Sequence, residues 1–220
     1  MKRFINYLFR TESLFSLFRK GNNRNMEYQP IRPPQLVSFR DMDIKQAREY
    51  FSWFISQIPI RVTELTKYVQ SALEYEKWEA DFTPESLDLL GKWFCEHVKT
   101  RQRSSEDIET IYANSPEWFR NIQIPDNDLS QVTVSISFDV GVYLSQVITT
   151  NVKGVRWEIV SKPKKDINIH QPVLSNGGYL VFNPVGIVIT YAYGIVQGTK
   201  GPNRLRELYE FWARTLEGEP

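Results

Sequence analysis

SFDVGVYLSQVITTNVKGVRWEIV, residues 137–160, places an aspartate in an otherwise apolar stretch and fits two secondary structures. The apolar residues 132, 136, 140, 143 and 147 have helical spacing, whereas alternate residues from Val132 to Val142 are apolar, as in a strand. We favour a helix, at least from Asp139 onward, because Asp139 could cap its start and residues 151–154 could end it. The sequence therefore predicts a helix that turns near Gly154 into a strand.

That strand is VRWEIV, which begins at Val155, and the segment GYLVF from Gly178 is predicted to pair with it. Side chains alternate between the two faces of a strand, so Trp157 and Glu158 face opposite sides. We expect Trp157 to face the core, and Glu158 to face solvent or a cleft.

The first half of the chain carries helical signals. Asp43 and Gln46 have the form of a capping box and precede an apolar stripe, which Pro59 is expected to end before a second helix begins near Val62. Thr83 and Pro84 predict the cap and first position of a third helix. Shorter helices are expected around residues 108–112 and at residue 118, and a closing helix over residues 205–216.

These signals predict one α+β domain, with an N-terminal helical half followed by a helix, a small antiparallel sheet and closing helices. A chain of 220 residues is long enough for one such domain with a sizeable core. We assign residues 1–24 to a basic amphipathic leader, residues 25–37 to a linker and residues 38–220 to the domain. The leader could pack on the domain, dock on a partner or lie on a membrane surface.

Charge is nearly balanced, with 27 Lys and Arg residues against 26 Asp and Glu residues. Residues 1–24 hold six of the basic residues and one acid, so the remainder is mildly acidic. Nucleic-acid binding needs clustered basic residues interleaved with aromatic ones. The domain lacks that pattern, and we expect no nucleic-acid partner.

A cytoplasmic location is expected. Cys95 is the single cysteine, so no internal disulfide is possible, and no secretory signal is recognisable. The apolar run Tyr179–Val196 is interrupted by Asn183 and Pro184, which leaves about a dozen residues where a spanning helix needs roughly 20. We therefore expect no transmembrane segment.

Motifs of the common enzyme classes are absent from the sequence, including the nucleophile elbow, the phosphate-binding glycine loop and the metalloprotease HExxH. Cys95 and His97 are two residues apart on a predicted helix and therefore point in different directions. We expect no cofactor and no metal. His170, in a polar loop before a proline, is expected to be solvated rather than a general base.

Asp139 has three interpretations. It could cap a helix, accept hydrogen bonds from loop amides in the core, or serve as a recognition or catalytic carboxylate at a cleft. We select as candidate binding residues Arg61, Asp139, Tyr143, Trp157, Glu158 and His170.

Four segments resemble, in this order, a group of uncharacterised bacterial proteins found mainly in Bacillus-like and related Firmicutes. They are REYFSWFISQIPIRVTELTKYV, FTPESLDLLGKWF, DVGVYLSQVITTNVKGVRWEI and INIHQPVL. Where that group tends to carry Gly-Glu, this chain has Ser145 and Gln146, which disfavours catalysis. Among positions that recur in the group, Arg61 follows a helix break and could pair with a buried carboxylate such as Asp139.

The leading functional hypothesis is a non-enzymatic protein-binding protein, of the immunity or adaptor type, with a protein as its partner. Small cytoplasmic proteins of this general kind often serve as immunity partners of secreted toxins. This is an analogy between classes of protein and does not rest on particular residues. The alternative is a hydrolase with a carboxylate-based site around Asp139 and Glu158.

Overall fold

The computed structural model describes residues 28–34 and 37–218, and their architecture is α+β as predicted. A helical half comes first, followed by a long central helix, a three-stranded antiparallel sheet and two closing helices. The leader assigned to residues 1–24 lies outside the described residues, as does part of the assigned linker.

The first helix, α1, runs from Ile44 to Gln70 without interruption. Asp43 and Gln46 form the predicted capping box at its start. The prediction that Pro59 separates two helices is wrong, because Pro59 lies inside α1. Phe54 before the proline and Leu65 after it are both buried, so packing along the whole helix compensates for the lost backbone hydrogen bond.

The predicted third helix is confirmed as α2, Ser86–His97. It begins slightly later than expected, and the Thr83 hydroxyl accepts the Ser86 amide just before it. The predicted short helices near residues 108 and 118 are α3, Ser105–Ala113, and a 3-10 segment, Glu117–Asn121. Another 3-10 segment covers Leu73–Tyr75. Strands β1, Thr100–Gln102, and β2, Asn127–Leu129, pair antiparallel in this half.

The central helix, α4, spans Gln131–Asn151. The preference for a helix over a strand is therefore confirmed, but the interpretation of Asp139 as its cap is wrong. Ser130 caps α4 by accepting the Thr133 amide, and Asp139 lies in the middle of the helix. Because α4 is buried on nearly every side, it has no polar face. Its apolar residues therefore fit both the helical spacing and the alternation of a strand.

The three-stranded sheet has the order β3-β4-β5, with β3 at Arg156–Ile159, β4 at Pro172–Ser175 and β5 at Val181–Phe182. Both predicted strand segments exist, but their direct pairing is wrong, because β4 lies between them. β4 is a buried four-residue strand that begins with a proline, and it carries too little alternation to be recognised from sequence.

Two helices complete the fold. Helix α5, Pro184–Val196, has Pro184 at its first position, as predicted, and its Asn183 cap accepts the Gly186 amide. It packs very closely on α4, since a Cβ on Gly141 would lie 2.7 Å from the Val185 Cα atom. Helix α6 covers Arg204–Glu217.

Within the described residues, α4 is the one helix long and apolar enough to cross a membrane by length and composition. Its most apolar window has a mean hydropathy of 1.3, and 83% of that window is buried inside the molecule. Such burial is typical of a core helix. The apolar run Tyr179–Val196 divides into β5 and the 13-residue α5.

Candidate functional site

Asp139 forms a buried triad with Tyr28 and Arg61. Arg61 donates from Nε to Asp139 Oδ1 at 2.7 Å and from Nη2 to Oδ2 at 2.6 Å. The Tyr28 hydroxyl donates to the same Oδ2 at 2.5 Å and accepts a bond of 2.9 Å from Arg61 Nη2. The three residues are at most 4% exposed. The predicted pairing of Arg61 with Asp139 is thus confirmed, and Tyr28, which sequence reasoning missed, completes it.

The electrostatics of the triad follow from its burial. Burial raises the pKa of Asp139 to about 6, although the bonds from Arg61 and Tyr28 act to lower it. Burial and the neighbouring carboxylate raise the pKa of Tyr28 well above its usual value, so its phenol remains a hydrogen-bond donor. Burial acts to lower the pKa of Arg61, but its bonds to Asp139 raise it overall. An ion pair between Arg61 and Asp139 therefore persists at neutral pH.

The triad connects three separate parts of the chain: the segment before α1, the second half of α1 and the middle of α4. Both oxygens of Asp139 already accept hydrogen bonds, and the side chain is fully buried. The carboxylate is therefore out of reach of a substrate in solution. The arrangement therefore stabilises the fold and gives no support to the hydrolase alternative.

Tyr143 is also buried and satisfied within the protein. Its hydroxyl lies 2.7 Å from Ser86 Oγ and accepts the Phe82 amide at 3.2 Å. Burial raises the pKa of Tyr143, so the phenol is neutral. Phe82 has a φ of 59°, which non-glycine residues rarely adopt, and its bond to Tyr143 helps to hold that conformation. Tyr143 thus positions the start of α2.

Glu158 lies on β3 and accepts a bond of 2.6 Å from its neighbour Arg156, where both side chains are partly exposed. Trp157 packs its ring on Phe54 with a centroid distance of 4.7 Å. His170 is half-buried rather than freely solvated, and its Nδ1 lies 2.9 Å from the Phe39 carbonyl oxygen. Of the six candidate residues, Trp157 and His170 therefore touch residues that line a pocket.

That pocket, called the aromatic pocket below, spans about 480 Å³ of space free of protein atoms, and this space includes open solvent. Its lining residues are Pro33, Phe39, Tyr50, Phe54, Phe138, Gln171, Pro172, Asn183, Val185 and Gly186. None of these ten described residues is charged. Burial raises the pKa of Tyr50 above its usual value, so its phenol is neutral as well.

The aromatic walls of the pocket support one another. The Phe39 and Tyr50 rings meet edge to face at 4.9 Å, and the Phe54 and Phe138 rings at 5.7 Å. The polar part consists of two amide side chains, in which Asn183 Nδ2 donates to Gln171 Oε1 at 2.7 Å. Apolar walls with a few polar groups are common attributes of a ligand site.

The sequence does not reveal that these aromatic residues form the walls of a pocket. No signal in the sequence separates the wall of a pocket from a buried core, since both are apolar at helical spacing. The proximity of Pro33 and Phe39 to Pro172 and Val185 depends on long-range packing, which periodicity does not report.

In the part of the chain that the structure describes, no three His, Cys, Asp or Glu residues are grouped so that they could hold a metal ion.

No family model, no curated protein and no solved structure matches this chain. The resemblance to uncharacterised bacterial proteins therefore stays a prediction.

Proposed function

We propose that this protein is a non-enzymatic protein-binding protein that receives an apolar side chain of its partner in the aromatic pocket. The observation that carries the proposal is a pocket that is open to solvent, walled by four aromatic rings and free of charged lining residues. Buried aromatic and apolar anchors in such pockets supply most of the binding energy of many protein interfaces.

The enclosed space suits a side chain better than a large cofactor. Part of the 480 Å³ is open solvent, so the covered space is smaller than that figure. The pocket also lacks the charged groups that hold a nucleotide or a phosphate ester. An adaptor or immunity role, with the protein occupying a surface of its partner, is the biological form that we propose.

The test uses two adjacent prolines. Pro33 lines the pocket, whereas the neighbouring Pro34 is exposed and does not line it. Pro33→Glu places a carboxylate in the apolar mouth, and Pro34→Glu adds the same charge one residue away as the matched control. Tagged wild-type protein and both variants are recovered from the native host under identical conditions, and the bound proteins are identified by mass spectrometry.

We expect one partner to be recovered with the wild type and with Pro34→Glu, and to be lost with Pro33→Glu. If the partner contains a toxic domain, co-expression should relieve its toxicity for the same two forms and not for Pro33→Glu. Equal recovery by all three forms would show that the pocket is not the binding site. Recovery of no protein under any condition would contradict the proposed function itself.

A further inference from the structure

We infer that the segment recognised by the aromatic pocket is acidic, with an uncharged aromatic or branched aliphatic side chain as its anchor. This inference rests on the proposed function and names the chemistry of the partner. It depends on the charges of the three loops that contribute lining residues, which are residues 28–34, 37–43 and 161–171.

Basic residues outnumber acidic residues on these loops, although the chain beyond the leader has an acidic excess. The five basic residues are Arg32, Arg40, Lys162, Lys164 and Lys165, and the three acidic residues are Asp41, Asp43 and Asp166. Arg32 and Arg40 are the direct neighbours of the lining residues Pro33 and Phe39. The three loops together carry two more basic than acidic residues, and two of the basic residues adjoin the pocket lining in sequence.

The basic side chains are available to a partner. All five are exposed, and none of them forms an ion pair with another described residue. Two of the three acids are already engaged, since Asp43 accepts the Gln46 amide in the cap of α1 and Asp166 accepts the Asn168 amide. An acidic segment gains attraction here without displacing an existing ion pair.

The pocket itself selects an uncharged anchor. A carboxylate or ammonium inside it would lose its hydration, and the lining offers no opposite charge in return. At the polar end, the amide groups of Gln171 and Asn183 are bonded to each other and to neighbouring residues, so the apolar walls select the anchor. The occupant is therefore an apolar side chain in the pocket with acidic neighbours over the flanking loops.

The experiment measures the binding of short capped peptides to the full chain by fluorescence anisotropy. A central leucine or phenylalanine is flanked by Glu, by Gln or by Lys, and a fourth peptide has a central Asp between Glu residues. We expect the Glu-flanked apolar peptides to bind at least about tenfold more tightly than the Gln-flanked peptides at 50 mM salt. The advantage should shrink towards 500 mM salt, because salt screens exposed charges.

Variants separate the two components of recognition. Pro33→Glu should abolish the binding of every peptide, and Pro34→Glu should retain more of it. Replacing Arg32 and Arg40 by Glu should remove the preference for Glu flanks and leave the affinity for Gln-flanked peptides unchanged. Arg120→Glu is the control, because Arg120 is exposed on a segment that does not line the pocket.

Three peptide-binding results would overturn the inference: equal affinity for Glu and Gln flanks, tight binding of the peptide with a central Asp, or undiminished binding by Pro33→Glu. A partner recovered through the pocket whose contacting segment is neutral or basic would overturn it and leave the proposed function standing. Peptide binding as expected, without any recoverable protein partner, would contradict only the proposed function.

Discussion

Phe138 and Asp139 are consecutive residues of α4, and they belong to two regions with opposite character. Asp139 lies in the buried triad, where every oxygen of its carboxylate is bonded. Phe138 lines the aromatic pocket, which is partly open to solvent. Neighbouring side chains of a helix are rotated by about 100° relative to each other. Asp139 therefore points into the triad, whereas Phe138 faces the pocket.

Polarity is a poor guide to the site in this protein. The residues that invite a chemical interpretation, Arg61 and Asp139, satisfy each other inside the fold. The residues that invite a structural interpretation, such as Phe39 and Phe138, form the walls of the pocket. Hydrogen bonding distinguishes the two cases, whereas burial does not, since Phe138 is 5% exposed and Arg61 is 4% exposed.

The largest effect is expected from leaving one charge of the triad without its partner. Arg61→Met or Asp139→Leu alone should lower the free energy of unfolding by about 3–5 kcal/mol, because an uncompensated charge stays buried. The combined variant Tyr28→Phe, Arg61→Met and Asp139→Leu should recover most of that loss, since apolar packing can replace a buried ion pair. Urea unfolding of the full chain measures these free energies. If the combined variant instead lost the sum of the single losses in the free energy of unfolding, the three residues would not act as a coupled unit.

A smaller effect is expected from Tyr28→Phe, which removes one hydroxyl and leaves the ion pair. The carboxylate loses a charge-assisted hydrogen bond, and Arg61 Nη2 loses one of its two acceptors. We expect a loss of about 1.5–3 kcal/mol in the free energy of unfolding. Urea unfolding measures this loss. The control variant is Tyr179→Phe, which removes a hydroxyl from a fully exposed side chain. Equal stability of the two variants would show that the hydroxyl does not contribute.

The stability of the protein should depend on pH through Asp139. The pKa of Asp139 is about 6 in the folded protein against a usual value of 3.8, so between these values the folded state binds the proton more tightly. The contribution of Asp139 to the free energy of unfolding should therefore rise as the pH falls from 7 to 4, by up to about 2–3 kcal/mol. The measurement is urea unfolding of the wild type relative to the combined triad variant across this range. A relative loss of wild-type stability on acidification would contradict the raised pKa.

The smallest effect is expected at Glu158, the other carboxylate of the hydrolase alternative. Its bond to Arg156 is partly exposed, and such pairs contribute about 0–1 kcal/mol. Glu158→Gln should change the urea midpoint little and should leave peptide binding within about twofold of the wild type. A large loss of binding would place Glu158 in the recognition surface.

The sequence predicted the fold class and most helices, because capping boxes and helical stripes are local signals. It failed at Pro59 and at the cap of α4, where tertiary packing outweighs local preference. The β3–β4 pairing was missed, because β4 is short and begins with Pro172. Within the site, the pairing of Arg61 with Asp139 was predicted, whereas the pocket depends on contacts between distant segments.

The most direct test compares the two regions in one binding assay. Wild-type protein, the combined triad variant and Pro33→Glu are titrated with the Glu-flanked phenylalanine peptide, after circular dichroism and urea unfolding have shown that all three are folded. If recognition lies in the pocket, the triad variant binds within about twofold of the wild type, and Pro33→Glu binds at least about tenfold more weakly. Loss of binding in the folded triad variant, with full binding by Pro33→Glu, would contradict the assignment of recognition to the pocket.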